Sequence, residues 1–166
     1  MTSLYDLSIP VFIRALGNLS HILKKAEQWA DNNKVDHSKL IQGRLADDMK
    51  PLTFQVQMCS DFSKGTLVRI GGTEKVALED SETTFEQLQQ RCQKTIEVLK
   101  AADPESMNGK EGVEVDFHGY KFTGRTYLLN LALPNFFFHE TTAYAILRNA
   151  GVPLGKMDYL GAPHEG

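Results

Sequence analysis

The sequence predicts an all-α four-helix bundle with a small β-hairpin before the last helix. Three observations carry this. Four long segments place apolar residues three or four apart, the spacing of one helical face. One stretch, 111–124, alternates apolar and polar residues instead, the period of a strand. The connections between the long segments are modest, as between antiparallel neighbours in a bundle. The chain has 166 residues. That length fits one domain, expected here over 1–166, and buries enough surface to fold without disulfides or a structural metal.

The first segment runs over roughly 8–31. Ser8 is placed to cap it, and Pro10 falls in the first turn, where its missing N–H costs nothing. Ile9, Phe12, Ile13, Leu16, Leu19, Leu23, Ala26 and Ala30 form its apolar face. Gly17 lies inside it, where a second helix can approach closely. The loop DNNKVDHSKLIQG follows, and the connection is long enough to ask for a short extra helix within 36–46. The second segment runs over roughly 51–70. Asp47-Asp48 ahead of Pro51 marks its start, and Gly71-Gly72 ends it. Leu52, Val56, Cys59, Leu67 and Ile70 make its stripe.

The third segment covers roughly 84–102. Thr83 with Glu86 fits a capping box, and Asp103-Pro104 stops the helix. Phe85, Leu88, Cys92, Ile96, Leu99 and Ala102 form its stripe. In the hairpin, a two-residue turn at 118–119 pairs Phe117 with Tyr120 and Val115 with Phe122, so both pairs share a face. Gly119 supplies a positive φ; His118 is a less usual partner there. The fourth segment covers roughly 126–149, with Gly151 just past its end. Pro134 should kink it or split off its first part. The remainder, VPLGKMDYLGAPHEG, reads as an extended tail.

Composition excludes several function classes. Hydrophobic residues make up 42% and charged residues 23%, so the chain is globular. A formal charge of −3 with no basic run argues against nucleic acid as a partner. Cys59 and Cys92 are the two cysteines, without a CxxC, so a reducing cytoplasm is the expected location. The start MTSLYDLSIP has no basic n-region or long apolar run, so no signal peptide is expected. The most apolar stretch, 127–138, is interrupted by Asn130, Pro134 and Asn135, so no membrane span is expected. GxGxxG, P-loop, GxSxG and HExxH motifs are absent.

The last helix carries the functional information. Leu128, Leu131, Ala132, Phe138, Ala145 and Ile146 form one apolar stripe; Leu129, Leu133, Phe136, Phe137, Tyr144 and Leu147 form a second. A helix apolar on most sides is buried on most sides. Two coverings satisfy that: a homodimer through this helix, or the chain's own tail. Asn135, His139, Thr142 and Asn149 break the first stripe at core spacing. Either they are satisfied core groups, or they line a pocket. On the second helix, Gln55 lies beside the core stripe. Gln57, Asp61 and Lys64 share another side that reads as a solvated face with an ion pair.

The patterns LYDLSIPVFIRALGNL, LADDMKPLTFQVQMCSDFSKG and LPNFFFHETTAYAILRNAGVPLGKMDYLG resemble an uncharacterised bacterial family of the DinB/YfiT-like metalloenzyme superfamily. The resemblance spans nearly the whole chain. It implies a four-helix bundle of up-down-down-up type, often dimeric. It also implies a nickel or zinc ion on three histidines, one from the second helix and two at i and i+4 on the fourth. The i,i+4 spacing puts both imidazoles on one face. Three protein ligands leave an open position for water or substrate. Metal-dependent transferases and hydrolases are among such relatives. Here His139 matches the first histidine of the pair, but its i+4 residue is Ala143. The second helix has no histidine, Gln55 being the nearest polar residue, while His21, His37, His118 and His164 lie elsewhere. No cofactor is therefore expected, and one histidine with a glutamine is a poor nickel or zinc site.

Other chemistry is thin. Cys59 lies mid-helix on the apolar stripe and reads as a buried, inert thiol. His139 and Glu140 are adjacent and point about 100° apart, so they do not face one substrate together. A pairing of His139 with Asp61 is geometrically open. The site candidates are thus His139, Gln55, Thr142, Asn135 and Asp61. Three functions compete: a bundle that binds a small molecule in an inner cleft around His139, a divalent-metal-dependent transferase or hydrolase, and an interaction homodimer.

Overall fold

A computed structural model describes residues 3–161 of the chain; His164 lies outside them. The first long helix, α1 (Ile9–Asn33), is followed by a short α2 (His37–Ile41) in the connection where one is predicted. The second long helix, α3 (Leu52–Thr66), runs on as a π-turn over Leu67–Gly71. Gly72 closes that turn at φ 73°. The third is α4 (Phe85–Lys100), and a short 3₁₀ turn, Pro104–Met107, fills part of the next loop. The hairpin pairs β1 (Glu114–Phe117) with β2 (Tyr120–Thr123) in the predicted antiparallel register. The last arm is α5 (Gly124–Tyr127), a π-turn over Leu128–Ala132, and α6 (Leu133–Asn149). A final helix, α7 (Lys156–Leu160), returns to α1.

The arrangement is an all-α four-helix bundle with a small hairpin ahead of its last helix. Around the bundle α1 packs on α4, α4 on α3, and α3 on α6. Phe12, Leu16, Leu19, Leu23, Val56, Cys59, Leu88, Cys92, Phe136 and Ala143 meet in its core, all buried. Burying a leucine- or phenylalanine-sized side chain contributes about 1.5–3 kcal/mol, so these stripes supply most of the driving force.

Several local expectations are corrected. The Ser8 hydroxyl does not cap α1; it donates back to the Leu4 carbonyl at 2.6 Å, within the turn that precedes the helix. Gly17 faces open space, and among the described residues no helix approaches there. The capping box of α4 is Thr84 with Gln87, one residue later than read. Pro134 interrupts regular helix through a π-turn that parts α5 from α6, and the arm stays helical throughout. It has no N–H for the Asn130 carbonyl, and the chain opens into π geometry just ahead of it while both flanks stay helical.

The last arm is not buried on all sides. Leu129 is 48% and Phe138 56% exposed. Tail residues cover another side: Val152 and Leu154 are buried, and Tyr159 lies edge-on to Tyr144 at 6.1 Å. The tail is helical rather than extended at 156–160 because both its ends find partners. Asp158 accepts from the Gly155 N–H at 2.7 Å and pairs with Lys25 at 2.9 Å. Arg14 and Asn18 donate to the carbonyls of Leu160 and Tyr159.

In the hairpin turn, His118 (φ 52°) and Gly119 (φ 84°) are both left-handed. That is the type I′ geometry whose twist suits a two-residue loop.

Candidate functional site

Towards α6, helix α3 presents Gln55, which is 2% exposed. Gln55 Nε2 donates to the Lys50 carbonyl at 2.8 Å, which turns Oε1 towards α6. There Oε1 accepts from His139 Nδ1 at 2.7 Å. An amide oxygen has no proton to give, so Nδ1 carries the hydrogen and Nε2 keeps its lone pair. Burial holds the His139 pKa down to about 4, so the ring is neutral at pH 7. Nε2 has no hydrogen-bond partner among the described residues.

Three phenylalanines frame the imidazole. Phe138 stands edge-on at 5.2 Å, Phe54 edge-on at 5.9 Å, and Phe62 nearly parallel at 6.4 Å. The Lys50 ammonium lies 5.9 Å from the Phe54 ring centre. The other candidates separate. Asn135 stands one turn before His139, and its Oδ1 is buried without a partner among the described residues. Thr142 is buried, but its hydroxyl donates to the Phe138 carbonyl of its own helix at 2.7 Å. Asp61 does not pair with His139: it turns to the opposite seam and bonds Arg91.

Glu140 points from the same helix into the core and is 1% exposed. Its Oε1 has no hydrogen-bond partner among the described residues. Burial pushes its pKa up to about 8, with the facing Tyr159 hydroxyl offsetting part of the rise. Two neighbouring titratable residues are therefore both uncharged at pH 7, on different sides of the helix. Glu140 also sits beside the two thiols. Burial, with Glu140 adding to it, raises Cys59 well above the ordinary thiol range. Cys92 is pushed up to about 12, again by burial. Both are inert structural thiols rather than nucleophiles.

Towards α4, helix α3 meets a charge network that its sequence pattern does not reveal. Gln57 and Lys64 are buried, not solvated, because the segment 73–83 folds over them. Gln57 donates to Glu82 at 2.9 Å, and Lys64 donates to the Val76 carbonyl at 3.1 Å. The hub is Arg91, 2% exposed, on α4. It pairs with Glu82 at 2.7 Å, Asp80 at 2.9 Å and Asp61 at 3.1 Å, and also donates to the Glu79 carbonyl.

The superfamily's metal chemistry needs a donor set that these residues do not make. Gln55 is bonded through both ends of its amide, and Ala143 has no donor. Among the described residues no three His, Cys, Asp or Glu side chains cluster to hold an ion. His139 alone does not fit a three-histidine zinc or nickel centre. Among the same residues no helix is long and apolar enough to cross a membrane.

Comparison with known proteins bears on the same arrangement. The model of the DUF1993 family, a domain of unknown function, matches residues 4–160. The crystal structure of a DinB family member protein from Shewanella denitrificans is similar over 98% of this chain and 95% of that one. It shares 37% identity and superposes with a TM-score of 0.93. No curated protein matches.

Proposed function

The chain belongs to the DUF1993 family, an uncharacterised DinB-like family, and on that premise we propose that it binds a small ligand at the imidazole of His139. The observation that carries this reading is the Gln55–His139 bond. It fixes one tautomer and leaves the Nε2 lone pair free. A neutral acceptor framed by Phe54, Phe62 and Phe138 suits a small planar molecule with an O–H or N–H donor. The rings offer edge and face contacts, and the donor reaches Nε2. Asn135 Oδ1, a second acceptor without a partner, stands one turn away. Both groups are acceptors, which favours a ligand with a donor over an anion.

The test is a titration with phenol and with toluene, followed by NMR through the imidazole nitrogens and through the backbone amides of 54–62 and 135–142. Phenol should shift Nε2 saturably; toluene, lacking a donor, should not. A phenol shift of those amides that persists in His139→Leu, or no saturable phenol response in the native chain, overturns the reading. One equivalent of zinc or nickel bound by the native chain and lost in His139→Ala would replace it with the metal-dependent transferase or hydrolase alternative.

A second reading rests on Phe138, 56% exposed beside the site. A homodimer through the last arm would cover it. Light scattering that returns the mass of one chain at every concentration removes that reading.

A further inference from the structure

A cavity of about 350 Å³ opens between the end of α3 and the segment 73–83. Asp61 and Lys64 place it on the α4 side of α3, and nothing above assigns it a role. Lys64, Arg69 and Lys75 line it together with Asp61 and Asp80. Three cations against two carboxylates leave one positive charge in excess. Arg91 holds both carboxylates together with Glu82, and counting that further cation and carboxylate leaves the excess at one. The rest of the wall is largely apolar, including Val68, Val76 and Leu78.

Arg69 is posed with unusual care. Its guanidinium lies 4.9 Å from the Phe117 ring centre and 5.7 Å from that of Tyr127, and its Nη1 donates to the Tyr127 hydroxyl at 3.1 Å. No carboxylate pairs with it among the described residues, so most of its five N–H donors are uncommitted. Two departures from regular helix create the pose. The π-turn at Leu67–Gly71 carries Arg69, and such turns are frequent at functional sites. Gly65 sits opposite, and a Cβ there would collide with the Arg69 guanidinium. Glycine inside a helix costs about 1 kcal/mol relative to alanine, and this contact accounts for it. Lys64, 7% exposed, spends one of its three donors on the Val76 carbonyl, and its next contact, Asp61, is 3.4 Å away.

We propose that this cavity is a binding site for a small monocarboxylate with a short apolar body, its carboxylate held by Arg69 and Lys64 and its body against Val68, Val76 and Leu78. The guanidinium fork matches the two carboxylate oxygens, and the single excess charge matches a monoanion better than a phosphate dianion.

Butyrate is the probe, with butyramide as its neutral counterpart and inorganic phosphate as the dianion, each followed by amide NMR of the native chain. Butyrate should bind saturably, shifting amides around Gly65–Arg69 and Val76–Leu78. Butyramide and phosphate should bind at least about tenfold more weakly, the loss of one charge-assisted contact. Arg69→Gln should weaken butyrate by a similar factor. Gly65→Ala favours the helix, so it should fold at least as stably while displacing Arg69 and weakening butyrate too. No saturable butyrate binding overturns the proposal. So does equal binding of butyramide or phosphate, or native affinity in both variants. Because shifts at this cavity and at His139 are read separately, failure of one site leaves the other standing.

Discussion

Helix α3 meets α4 through a crowded charge network and meets α6 through apolar packing with one short side-chain to side-chain hydrogen bond between neutral groups. On the α4 side, Arg91 has three carboxylates and a carbonyl around it, and Lys64 and Gln57 each reach a further acceptor. On the α6 side, Gln55 is the one hydrogen-bond partner of His139 among the described residues, and it engages Nδ1 alone. Both seams put polar groups at core spacing, and spacing alone does not separate them. What separates them is completeness. A buried polar group whose bonds are nearly all filled is explained by folding. A neutral group oriented on one side and half-exposed on the other keeps an acceptor that a ligand's donor can reach.

The sharpest way to break this contrast is to remove the hub. Arg91→Met keeps the apolar stem but leaves Glu82, whose side chain is 10% exposed, without its cation. Removing one partner of a buried pair costs about 3 kcal/mol, or roughly 10 °C in melting temperature for a chain of this size. Asp61 and Asp80, 42% and 54% exposed, add little because water screens them. Adding Glu82→Gln should recover part of the loss. Urea and thermal melts check both; a drop as small as a surface substitution gives would show that the network is ornamental.

Glu140 gives an effect of comparable size, read through pH rather than by deletion. Its folded pKa, about 8, lies above its ordinary value of 4.5. The folded state therefore holds the proton more tightly, and stability present at low pH is lost as pH rises between those values. At about 1.4 kcal/mol per unit, that window is worth a few kcal/mol. Glu140→Gln cannot ionise, so its stability should fall much less between pH 5 and pH 8. The groups facing Glu140 are Cys59, Cys92 and Tyr159, and none of them titrates inside this window. Parallel slopes in native and variant chains would mean that the carboxyl is not buried in solution.

The bundle was legible because its instructions are local and repeated. Periodic stripes, glycine stops and the 118–119 turn each act within a few residues, and the hairpin register followed from pairing Val115 with Phe122. His139 and Gln55 were legible as polar breaks beside apolar stripes. The Arg91 network was not. Its covering segment, 73–83, has no period to read, so Gln57 and Lys64 looked like a wet face. Glu140 was legible only as a direction, about 100° from His139; that this direction leads into the core depends on how the tail and α7 close over the helix. Arg69 was hidden for a similar reason, since its pose depends on a π-turn that no local pattern announces.

On the α6 seam the effects should be smaller. Gln55→Leu removes the acceptor of a half-buried N–H, at a cost of about 1 kcal/mol. Its distinctive signature is spectroscopic. Without Gln55 the hydrogen is no longer held on Nδ1, and the imidazole ¹⁵N shifts should report a mixture of tautomers. An unchanged tautomer would mean that something other than Gln55 orients the ring.

The smallest effect should be the most informative. In His139→Leu, Gln55 Oε1 loses its donor, which costs about 1 kcal/mol. Leucine returns a similar amount, about 1 kcal/mol, by burying its methyls against Phe54 and Phe62. Stability should therefore change little, or rise, as it does where a polar group is kept for a task other than folding. The pH profile should change as well. His139 is held near 4, below its ordinary 6.5, so the native chain loses stability as pH falls from 6.5 to 4, and the leucine variant should not. A melting temperature that drops as far as in Arg91→Met would place His139 with the structural network on the other side of α3. A stable variant that has lost its phenol response would place it apart.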